Sequence, residues 1–140
     1  MNFKQKYVRY KSLVDDCLER FIAQQEPRSL YEPLRYVVAG GGKRIRPVLL
    51  LLCCEAVGGR ATNALHAAAG IEILHNFTLV HDDIMDNAPS RRGRATVHVK
   101  WDTNVAILVG DELLALAYRA LLQTKSPSIW EIAKVFTEGV

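Results

Sequence analysis

Apolar residues recur at steps of three and four along almost the whole chain, and prolines or glycines separate the stretches in which they do so. This period is typical of amphipathic helices, so the sequence predicts an all-α fold. The predicted helices cover about residues 3–23, 29–39, 47–57, 62–86, 105–122 and 126 onward. With 140 residues and no linker or repeat, the chain suits a single helical domain over 1–140.

Prolines and short polar residues mark the expected helix ends, and Pro27 is expected to end the first helix. The expected N-terminal caps are Ser29, Asp102 or Thr103, and Ser128 with Glu131 in a capping box. The third helix is apolar on nearly its whole circumference, which predicts that it is buried. Because metal-ligand spacing is absent, Cys17, Cys53 and Cys54 are interpreted as reduced core thiols.

Three carboxylates stand within five residues at the end of the fourth predicted helix, at Asp82, Asp83 and Asp86. Asp82 and Asp86 lie one turn apart on the same face, where like charges repel unless a cation lies between them. Mg²⁺ suits such a position, because it takes oxygen ligands and commonly uses one or two carboxylates with substrate phosphates and water. The acids therefore predict a magnesium site at the end of a partly buried helix.

Three arginines, Arg91, Arg92 and Arg94, follow the acids in a segment broken by Pro89 and Gly93. Guanidinium groups bind phosphate oxygens, so the two clusters together predict a site for magnesium diphosphate. A loop over 88–95 is expected to fold back over the helix end. Taken separately, the clusters also fit a solvated helix end and a surface loop.

A second basic segment, GGGKRIRP at residues 40–47, is a further candidate for anion binding. Glycines allow a ligand to approach the backbone, and Pro47 favours the first turn of a helix whose N-terminus attracts anions. The competing interpretation is a helix end followed by a solvated basic turn.

The histidines and one further acid have less specific settings. His75 lies seven residues before the first aspartate, near the same stripe of the helix. His66 is expected to be a structural or surface histidine, and His81 either a neighbour of the metal ligands or a polar rim residue. Asp111 is expected to be structural, because a single acid in a buried helix is more often paired than catalytic, and Gly110 allows close packing beside it.

Charge and hydropathy argue against several classes of protein. The net charge of +3 is small and evenly spread, which argues against nucleic-acid binding. The longest apolar run, residues 47–54, is too short to cross a bilayer, and the N-terminus lacks the apolar core of a signal peptide. A cytoplasmic protein without a stable membrane anchor is therefore expected.

The segments GGGKRIRP, LVHDDIMDNAPSRRG, TVH and GDELLALA resemble those of the trans-type isoprenyl diphosphate synthases, the polyprenyl synthetases. They stand in the same order and at the same separations, and the resemblance covers about residues 30–140. It implies the N-terminal half of an all-α isoprenoid synthase bundle, usually homodimeric, with its active site in a deep cavity. It also implies an Mg²⁺-dependent transferase that joins isopentenyl diphosphate to an allylic prenyl diphosphate.

The resemblance assigns roles to individual residues. Asp82, Asp83 and Asp86 match the first aspartate-rich motif, which serves catalysis, with Asp82 and Asp86 touching the metal. Arg91 matches the arginine that holds the allylic diphosphate. The residues that match the isopentenyl diphosphate site are Lys43, Arg46, His75 and Arg92.

Product length is set in this family by side-chain bulk just upstream of the aspartates. Phe77 and Thr78 lie five and four residues before Asp82, at the expected floor of the product cavity. A phenylalanine there predicts a short product, C15 or C20. Phe77 as ordinary core filler is the alternative.

The sequence departs from the family pattern, because it ends before a second aspartate-rich motif and the downstream lysines. We therefore expect the N-terminal part of a synthase, which alone binds metal diphosphate weakly and turns over negligibly. Three other classes stay open. The first is a class I terpene cyclase, which shares the DDxxD motif. The second is an HD-type metal phosphohydrolase, suggested by His66, His75 and the His81–Asp82 doublet. The third is a non-catalytic subunit, which would need a catalytic partner.

Overall fold

The computed structural model describes residues 1–23 and 26–140, and helices make up most of this part of the chain. The helices are α1 (Phe3–Phe21), α2 (Arg28–Ala39), α3 (Ile45–Ala56), a 3-10 helix (Ala61–Ala64), α4 (Leu65–Met85), α5 (Val97–Lys100), α6 (Thr103–Leu122) and α7 (Ile129–Gly139). Two short strands, β1 (Ser90–Arg91) and β2 (Arg94–Ala95), lie between α4 and α5. The predicted all-α fold is confirmed, and among the described residues no helix has both the length and the hydropathy of a membrane span.

Helices α4 and α6 form the centre of the bundle and pack closely along each other. A Cβ atom built on Gly70 of α4 would lie 3.0 Å from the carbonyl oxygen of Ala117 in α6, so the two backbones nearly touch there. Ile73 of α4 and Leu113 of α6 are fully buried in the core. This contact fixes α4, whose C-terminal end carries the three aspartates.

Several predicted helix ends are wrong. The first helix ends at Phe21, and Pro27 does not end it but precedes α2 as the N-cap. Because α2 starts at Arg28, Ser29 lies inside the helix and does not cap it. Ser128 precedes α7 without a capping bond, since its ψ of 25° departs from the extended backbone that aims a cap at the first turn. Asp102 does cap α6, where it accepts a hydrogen bond from the Val105 amide at 2.8 Å.

The prediction that α3 is buried all round is also wrong. Only one face packs inward, with Val48 and Leu51 in the core, whereas Leu49 is 57% exposed. Cys53 is accordingly exposed and Cys54 half-buried, and of the three free thiols only Cys17 lies in the core. The uniform apolar composition of α3 therefore did not reveal which side packs.

The segment expected as a loop after the aspartates is a hairpin in which β1 and β2 pair antiparallel. Its two turn residues, Arg92 and Gly93, have φ values of 53° and 75°. Two successive left-handed residues match the type I′ turn that suits the twist of a two-residue hairpin. Asn87, with φ of 50°, ends α4 in the left-handed conformation common after helices. The hairpin thus returns toward α4 and brings Arg91 to Asp83.

Candidate functional site

The three aspartates occupy different environments at the end of α4. Asp83 is only 6% exposed and faces the hairpin, whereas Asp82 and Asp86 are exposed. The Asp86 amide donates to the Asp82 carbonyl oxygen at 2.8 Å, which closes the last turn of the helix. Asp82 and Asp86 therefore lie on one exposed face, as the period predicted, and the third carboxylate turns inward.

Arg91 of the hairpin binds Asp83 in a bidentate ion pair. Its Nε lies 3.0 Å from both carboxylate oxygens of Asp83, and its Nη2 lies 2.8 Å from Oδ1. These hydrogen bonds are the main reason that the pKa of Arg91 is raised, and the nearby charges of Asp82 and Asp86 raise it further. Of the three hairpin arginines, Arg91 thus meets the acids and is held by the middle aspartate, and the diphosphate site predicted from the two clusters stays a prediction.

Asp82 and Asp86 make no ion pair with the described part of the chain, although Arg91 is close enough to sense their charge. Two unpaired carboxylates at a helix C-terminus, where the helix dipole is negative, form an environment that favours a cation. Among the described residues, no group of three or more histidines, cysteines or acids could close around a metal. The donor set fits Mg²⁺ bound by two carboxylates, water and phosphate, and does not fit a closed metal cage.

The four residues matched to the isopentenyl diphosphate site line one cavity of about 420 Å³. They are Lys43, Arg46, His75 and Arg92. The cavity lies between the glycine-rich segment before α3, the middle of α4 and the hairpin turn. Its walls therefore bring together three parts of the chain that are far apart in sequence and carry several cationic groups.

Hydrogen bonds hold the hairpin arginines against α2 and the glycine segment. Arg92 Nη1 donates to the carbonyl oxygen of Gly41. Arg94 donates to the carbonyl oxygen of Tyr36 at 3.1 Å, and its guanidinium carbon lies 3.8 Å from the centre of the Tyr36 ring. The Tyr36 hydroxyl in turn donates to the Ala95 carbonyl oxygen at 2.8 Å. Arg94 thus anchors the hairpin, whereas Arg92 reaches the cavity.

His75 has an electrostatic setting suited to an anion. Its Nε2 lies 3.3 Å from Nη1 of Arg46. Burial lowers the pKa of His75, the positive charges of Arg46, Arg92 and Arg91 lower it further, and the carboxylate of Glu72 only partly opposes them. An anion placed among these cations would remove part of their repulsion and would therefore favour the protonated ring.

Sequence reasoning missed the buried arginine beside this cavity. Arg44 is 6% exposed and forms ion pairs at 2.8 Å with Asp15 of α1 and Glu72 of α4. These two carboxylates outweigh the effect of burial and raise the pKa of Arg44. The available signal was Glu72, because a single acid within an apolar helical stretch needs a buried cationic partner.

The remaining predicted residues lie around the same helix. His81 stacks edge-on against Phe77, with ring centres 4.8 Å apart, and its Nε2 lies 3.9 Å from the exposed carboxylate of Asp111. Phe77 is half-buried, and Thr78 is exposed and donates to the His75 carbonyl oxygen at 2.7 Å. His66 lies apart from these residues. Its ring packs edge-on against Phe21, with the two ring centres 6.0 Å apart.

Several known proteins are similar to this chain in sequence and in structure. The chain is 48% identical over 115 residues to a geranylgeranyl pyrophosphate synthase of Geoglobus acetivorans, over 82% of this chain and 36% of that protein. It is 44% identical over 118 residues to a geranylgeranyl diphosphate synthase of Methanosarcina mazei, over 84% of this chain and 36% of that protein. The crystal structure of a geranylgeranyl pyrophosphate synthetase from Pyrococcus horikoshii matches with a TM-score of 0.91 and 39% identity, over 97% of this chain and 43% of that one.

The chain thus spans well under half the length of these relatives. The sequence model of the polyprenyl synthetase family matches residues 27–140, from the start of α2 to the last residue. That stretch contains the basic cavity, the aspartates and the hairpin, and α1 precedes it. The chain belongs to the polyprenyl synthetase family.

Proposed function

We propose that this chain forms the diphosphate-binding part of a prenyltransferase that joins isopentenyl diphosphate to an allylic prenyl diphosphate. The observation that carries the proposal is the convergence of Lys43, Arg46, His75 and Arg92 on one cavity. A terpene cyclase does not need a second diphosphate site, so this cavity favours the transferase. The names of the relatives, which are geranylgeranyl diphosphate synthases, support a short-chain product.

The reaction explains why two charged regions are needed. The C–O bond of the allylic substrate breaks and its electron pair leaves with the diphosphate, so negative charge grows on the leaving group. Arg91, whose Nη1 makes no bond to Asp83, would bind that anion, and Asp82 and Asp86 would hold Mg²⁺, which supplies further neutralisation of this charge when bound. The basic cavity holds isopentenyl diphosphate so that its double bond meets the allylic carbocation, and loss of a proton completes the product.

An apolar cavity of about 430 Å³ supports the part of the proposal that concerns the prenyl tail. It lies along α4 next to α7 and is lined by Ile71, Leu74 and Phe136 among others. Leu74 and Ile71 precede Phe77 by about one and two turns of α4, so Phe77 lies between them and the aspartates along the helix. We infer that Phe77 and Thr78 form the floor that limits the product to C15 or C20.

Exchange of Arg46 for glutamine tests the isopentenyl diphosphate site in the complete enzyme. We expect Arg46→Gln to raise KM for isopentenyl diphosphate about 10-fold, the size of one lost charged hydrogen bond, and to leave KM for the allylic substrate unchanged. Arg60→Gln, an exposed arginine outside the cavity, is the matched control. An equal change in both KM values would contradict the assignment.

The 140 residues alone contain one DDxxD motif, and we propose that they bind magnesium diphosphate weakly without appreciable prenyl transfer. Product formation by the purified chain, followed with radiolabelled isopentenyl diphosphate, measures this. Robust turnover would refute it.

We further propose that the complete enzyme is a homodimer, for which the exposed Ile107 and Leu108 of α6 are candidate contacts. Sedimentation of Leu108→Asp against the unmodified enzyme tests that contact.

A further inference from the structure

Helix α1, which precedes the residues matched by the family model, contacts the basic segment before α3 at two consecutive residues. The Tyr7 hydroxyl donates to the carbonyl oxygen of Lys43. Two turns later, the Asp15 carboxylate accepts a hydrogen bond from Nε of Arg44 at 2.8 Å. One helix therefore holds the backbone at Lys43 and the side chain of the next residue.

The backbone at Arg44 needs such contacts. Its φ of 51° and ψ of 35° place it in the left-handed region, which is unfavourable for a residue with a long side chain. The guanidinium compensates by donating to Asp15, to Glu72 at 2.8 Å and to the Val38 carbonyl oxygen at 3.2 Å. These bonds join α1, α4 and the end of α2 around one buried cation.

The same network borders the anion cavity. Arg44 and Glu72 line it together with the four residues of the proposed isopentenyl diphosphate site. Lys43 and Arg46, on either side of the buried arginine, are both exposed. The left-handed turn thus separates one inward-facing cation from two that remain available for a ligand.

We infer that Tyr7 and Asp15 are positioning residues, which act through the Lys43 carbonyl and the Arg44 guanidinium to hold Lys43 and Arg46 in their diphosphate-binding arrangement. The inference rests on the proposed function of the cavity. It predicts a change in anion affinity opposite in direction to the one that electrostatics alone predicts. Removing a carboxylate near an anion site strengthens anion binding by electrostatics alone, whereas loss of a positioning contact weakens it.

The affinity of the 140-residue chain for inorganic diphosphate, measured by calorimetry at a temperature where every variant is folded, tests the inference. Asp15→Asn and Tyr7→Phe are each expected to weaken binding about 3- to 10-fold, which is the lower part of the range of coupling within one contact network. Asp15→Glu, which keeps the carboxylate, is expected to recover most of the affinity. Asp15→Asn binding as tightly as the unmodified chain, or more tightly, overturns the inference.

Two matched controls separate positioning from charge and from helix stability. Asp16→Asn removes the same charge from an exposed neighbour in α1. Tyr10→Phe removes a buried hydroxyl of α1 that bonds to Glu55 and not to the basic segment. Both controls are expected to bind diphosphate within about 2-fold of the unmodified chain, since neither alters the network. Equal weakening in the controls overturns the inference.

An NMR titration of the His75 ring gives a reading that needs no ligand and that a general loss of stability does not move. The charge of Arg46 helps to lower the pKa of His75. If Asp15→Asn or Tyr7→Phe displaces Arg46, the pKa of His75 is expected to rise toward its ordinary value. If the unmodified chain fails to bind diphosphate, the proposed function fails, and this titration still decides the positioning role. An unchanged His75 pKa in both variants overturns it.

Discussion

At the scale of single residues, one sequence motif contains two kinds of aspartate. Asp83 is buried and paired with Arg91, whereas Asp82 and Asp86 are exposed. Helical periodicity predicted the shared face of Asp82 and Asp86, because that face depends only on their spacing. It did not predict that Asp83 turns inward, since this depends on where the hairpin brings an arginine eight residues later.

This difference predicts that the two adjacent aspartates fail in different ways when changed to asparagine. Asp83→Asn should lower the free energy of unfolding by about 1 to 2 kcal/mol, a value kept modest because the Arg91 side chain is 39% exposed and solvent screens the pair. Asp82→Asn should leave stability nearly unchanged and remove the Mg²⁺-dependent part of diphosphate binding. Urea denaturation and calorimetry measure the two effects, and equal destabilisation would contradict the distinction.

Phe77 gives a second prediction at this scale. In the complete enzyme, Phe77→Ala is expected to lengthen the main product by at least one five-carbon unit, because it removes the bulk of the proposed floor just upstream of the aspartates. Chromatography of the dephosphorylated products measures chain length. Phe3→Ala, at a phenylalanine that is 71% exposed, is the control. An unchanged product distribution would favour the interpretation of Phe77 as core filler.

At the scale of secondary structure, what periodicity could predict depended on segment length. Helices α1, α4 and α6, of 19, 21 and 20 residues, each contain several turns of apolar period, and the sequence predicted all three. The hairpin has strands of two residues, which are too short for any period, and its only signal was the Arg92–Gly93 turn. The caps at Ser29 and Ser128 failed because residue type fixes neither the residue at which a helix starts nor the backbone angle of the residue before it.

The contact between α4 and α6 predicts that Gly110→Ala destabilises the chain when the His81 ring is present and stabilises it when the ring is absent. A Cβ atom there would lie 2.1 Å from Nε2 of His81, so the imidazole must move. Gly110→Ala is therefore expected to lower the free energy of unfolding by about 1 to 2 kcal/mol, despite the better helix propensity of alanine. In a His81→Ala background the clash is absent, and the same change should stabilise the chain by up to about 1 kcal/mol.

A double-mutant cycle in urea measures both values on the same chain. If Gly110→Ala destabilises equally in the two backgrounds, the obstacle is a backbone contact and not the His81 ring. This outcome would count against the close packing of His81 on α6.

At the scale of the whole molecule, the candidate site exists only in the folded chain. Lys43 and Arg46 lie some thirty residues before His75, and Arg92 follows it by seventeen. The sequence placed each basic cluster beside a predicted helix end. It could not fix their convergence, because the Arg44 network and the bonds from the hairpin to α2 join residues up to 59 positions apart. The resemblance to the polyprenyl synthetases, and not the spacing of the residues, grouped these four residues into one predicted site.

Assembly from distant segments links diphosphate binding to folding, which gives a prediction for the molecule as a whole. A ligand that binds only the folded state stabilises it by about 2.7 kcal/mol at a concentration 100 times its Kd. We therefore expect magnesium diphosphate to raise the unfolding temperature of the 140-residue chain. Replacing both Lys43 and Arg46 by glutamine should abolish most of this rise. Lys125→Gln, at an exposed lysine outside the site, should preserve it. A rise of equal size in all three proteins would mean that diphosphate acts through general screening of charge and not through this cavity.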